Sequence, residues 1–206
     1  HEALGYDRRK MRFIPNGYDL VDFQPGLDLK GEFKASLVPD RSIPLIGTVG
    51  RFDPQKDHAN LFDALAILFN LGLEFRFVLV GTGMDASNAQ IMEWITQRGL
   101  TDNVQLLGPR NDIPKIMNAL DLHILPSSTE GFPNVVAEAM ACGTPCVVTD
   151  VGDAAFIVGD TGWVVPPRDA CALAEAIASA LQDAKDINKA SECRLRARCR
   201  VEGHFS

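Results

Sequence analysis

The sequence predicts a doubly wound α/β domain on a parallel sheet, and three observations carry that prediction. From Pro44 onward, short apolar runs alternate with longer segments of helical period. The runs are apolar at successive positions, the mark of strands covered on both faces. Glycine, proline and polar residues interrupt the chain where each run ends. Strands of this kind joined by helices form a parallel sheet with helices on each side.

Residues 1–41 read as an irregular lead-in with one extended piece, "MRFIPNGYD", ending in a Pro-Asn-Gly turn. The first strand is "PLIGTVG", followed by a helix over 57–70. The next pairs are "FRFVLVG" with a helix over 85–98, and "NVQLLG" with 112–119. "DLHILPS" then precedes a helix over 134–142, bounded by Pro133 and by the stop signal Gly143. "PCVVTD" leads to a short helix over 153–158, and "TGWVV" to one over 169–183. The α/β body therefore spans 42–183. A charged helix over 184–200 opens the tail, 184–206, with Arg194, Arg196, Arg198 and Arg200 read as a solvated face or as a dock for a missing neighbour.

The chain of 206 residues is long enough for one sizeable core. Its net charge of −7 provides no global basic field for nucleic acid or an anionic membrane surface, so any anion must be met locally. Five cysteines, an odd and scattered set, suit a reducing compartment. Cys142 and Cys146 lack a second pair and read as buried thiols rather than a zinc site. No run of 18 apolar residues and no signal peptide is seen, which predicts a cytoplasmic protein, or one peripheral on the inner face of a membrane. The start at His1 reads as a fragment.

In doubly wound sheets ligands sit beyond the carboxyl ends of the strands. Four loops there carry polar chemistry: "GRFDPQKD", "GTGMDAS", "GPRND" and "PSSTEGFPN". Arg51 and Lys56 lie on the first, where an arginine fork and a lysine point charge can meet two phosphates. The helix from Asn134 offers the free N–H groups of Asn134, Val135 and Val136 as an anion site. Glu138, a turn inside that helix, can accept from a ribose diol. Glu130 precedes the helix, on the other side of the same anion, where a second hydroxyl-rich group would sit. Phosphate between two sugars describes a nucleotide sugar. The bland alternative is that Glu130 is a surface acid and Glu138 pairs with a lysine or arginine.

"EGFPNVVAEAMACGTPCVVTDVGD", with "DLHILPSST" before it and "TGWVVPPRD" after it, resembles the donor half of retaining glycosyltransferases of the family 4 type. Two glutamates with seven residues between them are part of the likeness. "GRFDPQKDHANLFDAL", "FRFVLVGTG", "NVQLLGPRND" and "FIPNGYDLVDFQP" match the family too, so the resemblance runs from about 11 to about 183. It implies the C-terminal half of a GT-B enzyme, in which two Rossmann-like domains face each other across a cleft. It further implies that Arg51 and Lys56 grip the diphosphate, Glu138 takes the ribose hydroxyls, and Glu130 with the backbone of Gly131, Phe132 and Pro133 faces the donor sugar. Asn134 and Val135 would offer N–H groups to phosphate, and the backbone near Arg110 and Asn111 would border the base. Gly50 and Gly81 would let the backbone approach closely.

The implied reaction transfers a sugar, with retained configuration, from a nucleoside diphosphate sugar, UDP being the family's commonest carrier. The acceptor is a sugar, lipid or polysaccharide hydroxyl presented by an N-terminal domain that this chain lacks. No cofactor is implied, and no Asp-x-Asp triplet is present to hold a divalent ion.

Two other readings compete. Gly81-x-Gly83-x-x-Ala86 approaches a dinucleotide fingerprint, and Arg110 at the end of the next strand would meet a 2′-phosphate, which together suggest an NADP-dependent oxidoreductase. A non-catalytic nucleotide-binding module would keep Arg51, Lys56 and Glu138 but has no need of Glu130. His123 reads as a packed core residue, and His58 as lying near the phosphates.

Overall fold

The computed structural model describes residues 16–38 and 40–205. Six strands form one parallel sheet: β1 (Leu45–Val49), β2 (Arg76–Val80), β3 (Val104–Gly108), β4 (Leu122–Leu125), β5 (Cys146–Thr149) and β6 (Trp163–Val165). They lie in the order β3-β2-β1-β4-β5-β6. Each run expected from the sequence is therefore a strand. β1 and β4 are buried throughout, which explains their unbroken apolar character.

Helices cover both faces. Against one lie α2 (His58–Asn70), α3 (Ala89–Gln97) and α7 (Ala170–Ala184), burying Leu61, Leu65, Ile91 and Ile177. Against the other lie α1 (Leu27–Leu37), α4 (Ile113–Ala119), α5 (Asn134–Ala141), α6 (Ala154–Val158) and α8 (Ile187–His204), with Ile116, Val136, Met140 and Ile157 in the second core. α3 begins at Ala89 rather than 85. Asp85 accepts from Ser87 N–H in a turn, and Asn88 caps the helix through Gln90 and Ile91.

The lead-in corrects the expectation of an irregular 1–41, because α1 occupies part of it. Gly31 in its middle and a start without a side-chain cap hid it from pattern reading. Tertiary contacts hold it: Phe33 and Leu37 pack on the core, Lys34 pairs with Asp121 at 2.5 Å, and Gly26 N–H reaches Asn118 at 2.7 Å. Most of the expected extended piece, residues 11–15, lies outside the described residues.

Of the four tail arginines, Arg196 stays exposed, but Arg194, Arg198 and Arg200 are partly buried rather than a solvated face. Arg198 donates to the carbonyls of Ala141 and Phe23, each at 2.6 Å, and Arg200 donates to those of Ile157 and Phe156. These include carbonyls at the ends of α5 and α6, where unpaired acceptors and the helix dipole both favour a cation. Arg194 pairs with Asp121 and Arg196 with Asp160. Ala197, Val201 and Phe205 are buried in the core beside them. Among the described residues no helix is long and apolar enough to cross a membrane.

Where the strand order reverses, β1 and β4 stand side by side, and their carboxyl ends open onto the loops carrying Lys56 and Glu130. On the β2 side the loops are tied by backbone bonds: Gly50 N–H to Val80 O at 2.9 Å, Phe52 N–H to Thr82 O at 2.8 Å and Gly81 N–H to Gly108 O at 2.8 Å. Gly81, at φ +138°, has the carbonyl of Gly50 where a Cβ would be, 1.8 Å from it. Gly81→Ala is therefore expected to destabilise the fold by about 2–4 kcal/mol, combining strain and overpacking against backbone. Gly72→Ala, at φ +75° with open space around it, should cost only about 1–2 kcal/mol. Urea denaturation of both variants checks the difference; equal losses would remove the role given to the Gly50 carbonyl.

Candidate functional site

The β1–α2 loop is shaped by short-range polar contacts. Asp53 accepts from Gln55 N–H at 3.0 Å and starts a single 3₁₀ turn, Pro54–Lys56. Asp57 adopts a left-handed conformation, φ 46°, and caps α2. This turn directs Lys56 back over the sheet, where its side chain is 21% exposed. Arg51 behaves differently. Its side chain is 68% exposed and meets Asp53 at 3.2 Å, so it stands at the rim.

The β4–α5 loop brings the partner. Lys56 Nζ donates to Glu130 Oε1 at 2.6 Å, and Ser127 Oγ donates to the same oxygen at 2.6 Å. Glu130 is 13% exposed, which excludes the surface-acid alternative. Ser128 N–H donates to Gln55 O at 2.8 Å, joining the two loops through their backbones. Below them is the β5–α6 turn. Asp153 N–H donates to Gly131 O at 2.8 Å, and a Cβ on Gly152 would fall 2.3 Å from Gly131 O and 2.5 Å from Glu130 O.

α5 begins at Asn134 with Pro133 as an N-cap that supplies no side-chain acceptor. The N–H of Val136 is taken by Pro133 O at 3.1 Å, which corrects the expectation that it is free; Asn134 and Val135 carry the open N–H groups. Asn16 Nδ2 and Tyr18 Oη both donate to Asn134 Oδ1, at 2.8 and 3.0 Å. Glu138 shares an open recess with Asn16, Tyr18, Asp19 and Asn134. Burial raises its carboxyl above the usual range, and among the described residues no lysine or arginine pairs with it, contrary to the bland reading. The Tyr18 phenol is likewise pushed up, first by burial and then by the Glu138 charge.

Other expected residues lie at the edge or in the core. Phe132 turns its ring toward Tyr18 and Phe205, with centroids at 6.5 and 6.0 Å, while the carbonyls of Gly131 and Pro133 accept from the Asp153 and Val136 N–H groups. Arg110, next to Asn111, is held by Asp112 at 2.8 and 2.6 Å and lies 5.5 Å from the Phe33 ring. Its guanidinium is thus paired with a neighbouring carboxylate. Gly81 faces a carbonyl, and its turn meets no helix until Ala89, so the dinucleotide fingerprint lacks its geometry. His58 is stacked on Phe52 at 5.3 Å, and burial plus the neighbouring Lys56 hold it down to about 4. His123 is fully buried and held down to about 3 by the same two causes. Cys142 and Cys146 are buried thiols. No cluster of three or more His, Cys, Asp or Glu suited to a metal is present among the described residues.

Sequence reasoning gave no role to Ser127, Gly152, Asn16 or Tyr18. Ser127 stands three residues before Glu130, the one local signal available. The others reach the site through tertiary contact alone.

Comparisons with known proteins agree with this geometry. The chain is 36% identical over 153 residues to UDP-Gal:alpha-D-GlcNAc-diphosphoundecaprenol alpha-1,3-galactosyltransferase of Escherichia coli, covering 73% of this chain and 39% of that protein. HepE of Anabaena, solved with UDP-glucose, superposes with a TM-score of 0.85 at 26% identity, covering 100% of this chain and 56% of that one. In fold, the C-terminal domain of the group 1 glycosyl transferase LpcC from Francisella tularensis matches with a TM-score of 0.72 at 22% identity, covering 92% of this chain and 99% of that one. The chain spans 37% to 52% of the lengths of the first three curated relatives. The fold is accordingly the Rossmann-like C-terminal half of a GT-B glycosyltransferase. The model of the family described as glycosyl transferases group 1 matches residues 43–183, and the chain belongs to that family.

Proposed function

We propose that this chain is the donor-binding half of a retaining, metal-independent glycosyltransferase that uses a UDP-sugar. The observation that carries this reading is the Lys56–Glu130 pair beside the open start of α5, at the point where the strand order reverses. A cation, a carboxylate and free N–H groups converge there. The diphosphate lies against Asn134, Val135 and Lys56, with Arg51 closing over it from the rim. Glu138, in the recess beside Asn134, accepts the ribose hydroxyls, while Glu130 faces the sugar. The structures of HepE with UDP and with UDP-glucose support UDP as the carrier.

In the reaction, the bond from the anomeric carbon to the phosphate oxygen breaks and negative charge gathers on the departing diphosphate. Lys56, Arg51 and the helix dipole stabilise that charge. The acceptor hydroxyl of a sugar, lipid or polysaccharide bonds through its oxygen to the anomeric carbon and gives its proton to the leaving phosphate oxygen. It is presented by the part of the relatives' length that this chain does not span. The enzyme works in the cytoplasm or on the inner face of a membrane, and the isolated chain binds donor without turning it over.

Calorimetric titration with UDP in excess EDTA is expected to show binding, and NADP none. A strict need for magnesium or manganese would overturn metal independence, and NADP binding without UDP binding would overturn the donor reading. Glu138→Ala is expected to weaken UDP and UDP-glucose equally, by about 1.5–3 kcal/mol, because two ribose hydroxyls lose a charged acceptor. Unchanged UDP affinity in that variant would withdraw the ribose role.

A further inference from the structure

Glu130 is held by two donors on a single oxygen, and one of them is the cation that the proposed diphosphate needs. Lys56 Nζ and the Ser127 hydroxyl each reach Glu130 Oε1 at 2.6 Å. We propose that Ser127 is a positioning residue of the donor site: it retains Glu130 when the diphosphate draws Lys56 away. The inference rests on the donor reading above and adds a competition to it, in which Glu130 and the diphosphate contend for one ammonium group.

Three observations support the assignment. The main chain of Glu130 is fixed from below, because the space a Cβ on Gly152 would occupy lies 2.5 Å from its carbonyl oxygen and Asp153 N–H holds Gly131 O at 2.8 Å. Ligand entry therefore changes the partners of the Glu130 carboxylate rather than the path of its backbone. Ser127 is fixed as well. It is fully buried, and its carbonyl accepts from the buried Thr149 hydroxyl at 2.6 Å. Finally, the Glu130 side chain is 13% exposed, so water replaces a lost partner poorly. A carboxylate at that depth without a donor is strongly unfavourable. The Ser127 hydroxyl is placed to prevent this, and a hydroxyl does so without competing for the phosphate.

Opposite effects on UDP binding follow. Glu130→Gln releases Lys56, and UDP should bind about three- to tenfold tighter than to the unaltered chain. Ser127→Ala leaves Glu130 without a donor once Lys56 turns to phosphate, and UDP should bind about tenfold more weakly. The Ser127→Ala loss must depend on the charge it exposes, so Ser127→Ala/Glu130→Gln should bind UDP as Glu130→Gln alone does. Ser127→Cys keeps the size with a weaker donor and should fall between serine and alanine, giving a second reading if alanine perturbs the fold.

The experiment is calorimetric titration of these variants and the unaltered chain with UDP in EDTA, with thermal melts alongside. Tighter binding by Glu130→Gln and rescue of Ser127→Ala in the double variant support the assignment. A Ser127→Ala loss that persists in the double variant marks a structural role only and overturns it, as does Glu130→Gln binding UDP no tighter than the unaltered chain. Absence of UDP binding by the unaltered chain overturns the donor reading and the inference together.

Discussion

The ion pair between Lys56 and Glu130 is the interaction around which the site is organised. It crosses the place where the sheet changes direction, joining the loop after β1 to the loop after β4. In a doubly wound sheet the connections leave this place on opposite faces, so it is open by construction. The opening would expose a floor of β1 and β4 with little to fix the loops above it. The short contact, with the backbone bond from Ser128 to Gln55, fixes both loops and holds a cation inside a chain whose net charge is −7.

On the proposed reading, that placement is how an acidic protein receives a polyanion. A general basic field is unnecessary where a partly buried lysine and the N-terminus of a helix supply positive charge locally, since partly buried charges are screened less than surface ones. The acids near them are not excess charge. Glu130 holds the lysine in place, and burial raises the Glu138 carboxyl above the usual range. Arg51 is the exception, since its side chain is 68% exposed and pairs with Asp53 at the rim.

The far side of the domain follows the same economy of unpaired groups. α5 is short and must leave carbonyls open at its end, close to the core. Arg198 from α8 answers them, while Arg200 serves the end of α6. The helix that provides the site's N–H groups is thus anchored at its other end by the tail. Phe205 completes the link by packing against Phe132, whose neighbours Glu130 and Asn134 belong to the site.

What the sequence determined was periodicity and chemistry. Six apolar runs specified six strands because a strand covered on both faces cannot alternate, and Pro133 with Gly143 bounded α5 through backbone geometry alone. Lys56 and Glu130 could be singled out because both lie on loops beyond strand ends, and Glu138 because it is an acid inside a small-residue helix. Tertiary structure decided the rest. α1 carries Gly31 and no cap, so its helix depends on packing over α4. Arg198 and Arg200 looked solvated because their acceptors include carbonyls of distant helices, which no pattern in their own segment reveals. That Glu130 would take Lys56 and Ser127 on one oxygen, above Gly152, was equally hidden. Local spacing determines secondary structure and the kinds of groups available, but which donor reaches which acceptor is a matter of distance between segments, and only the folded chain sets that distance.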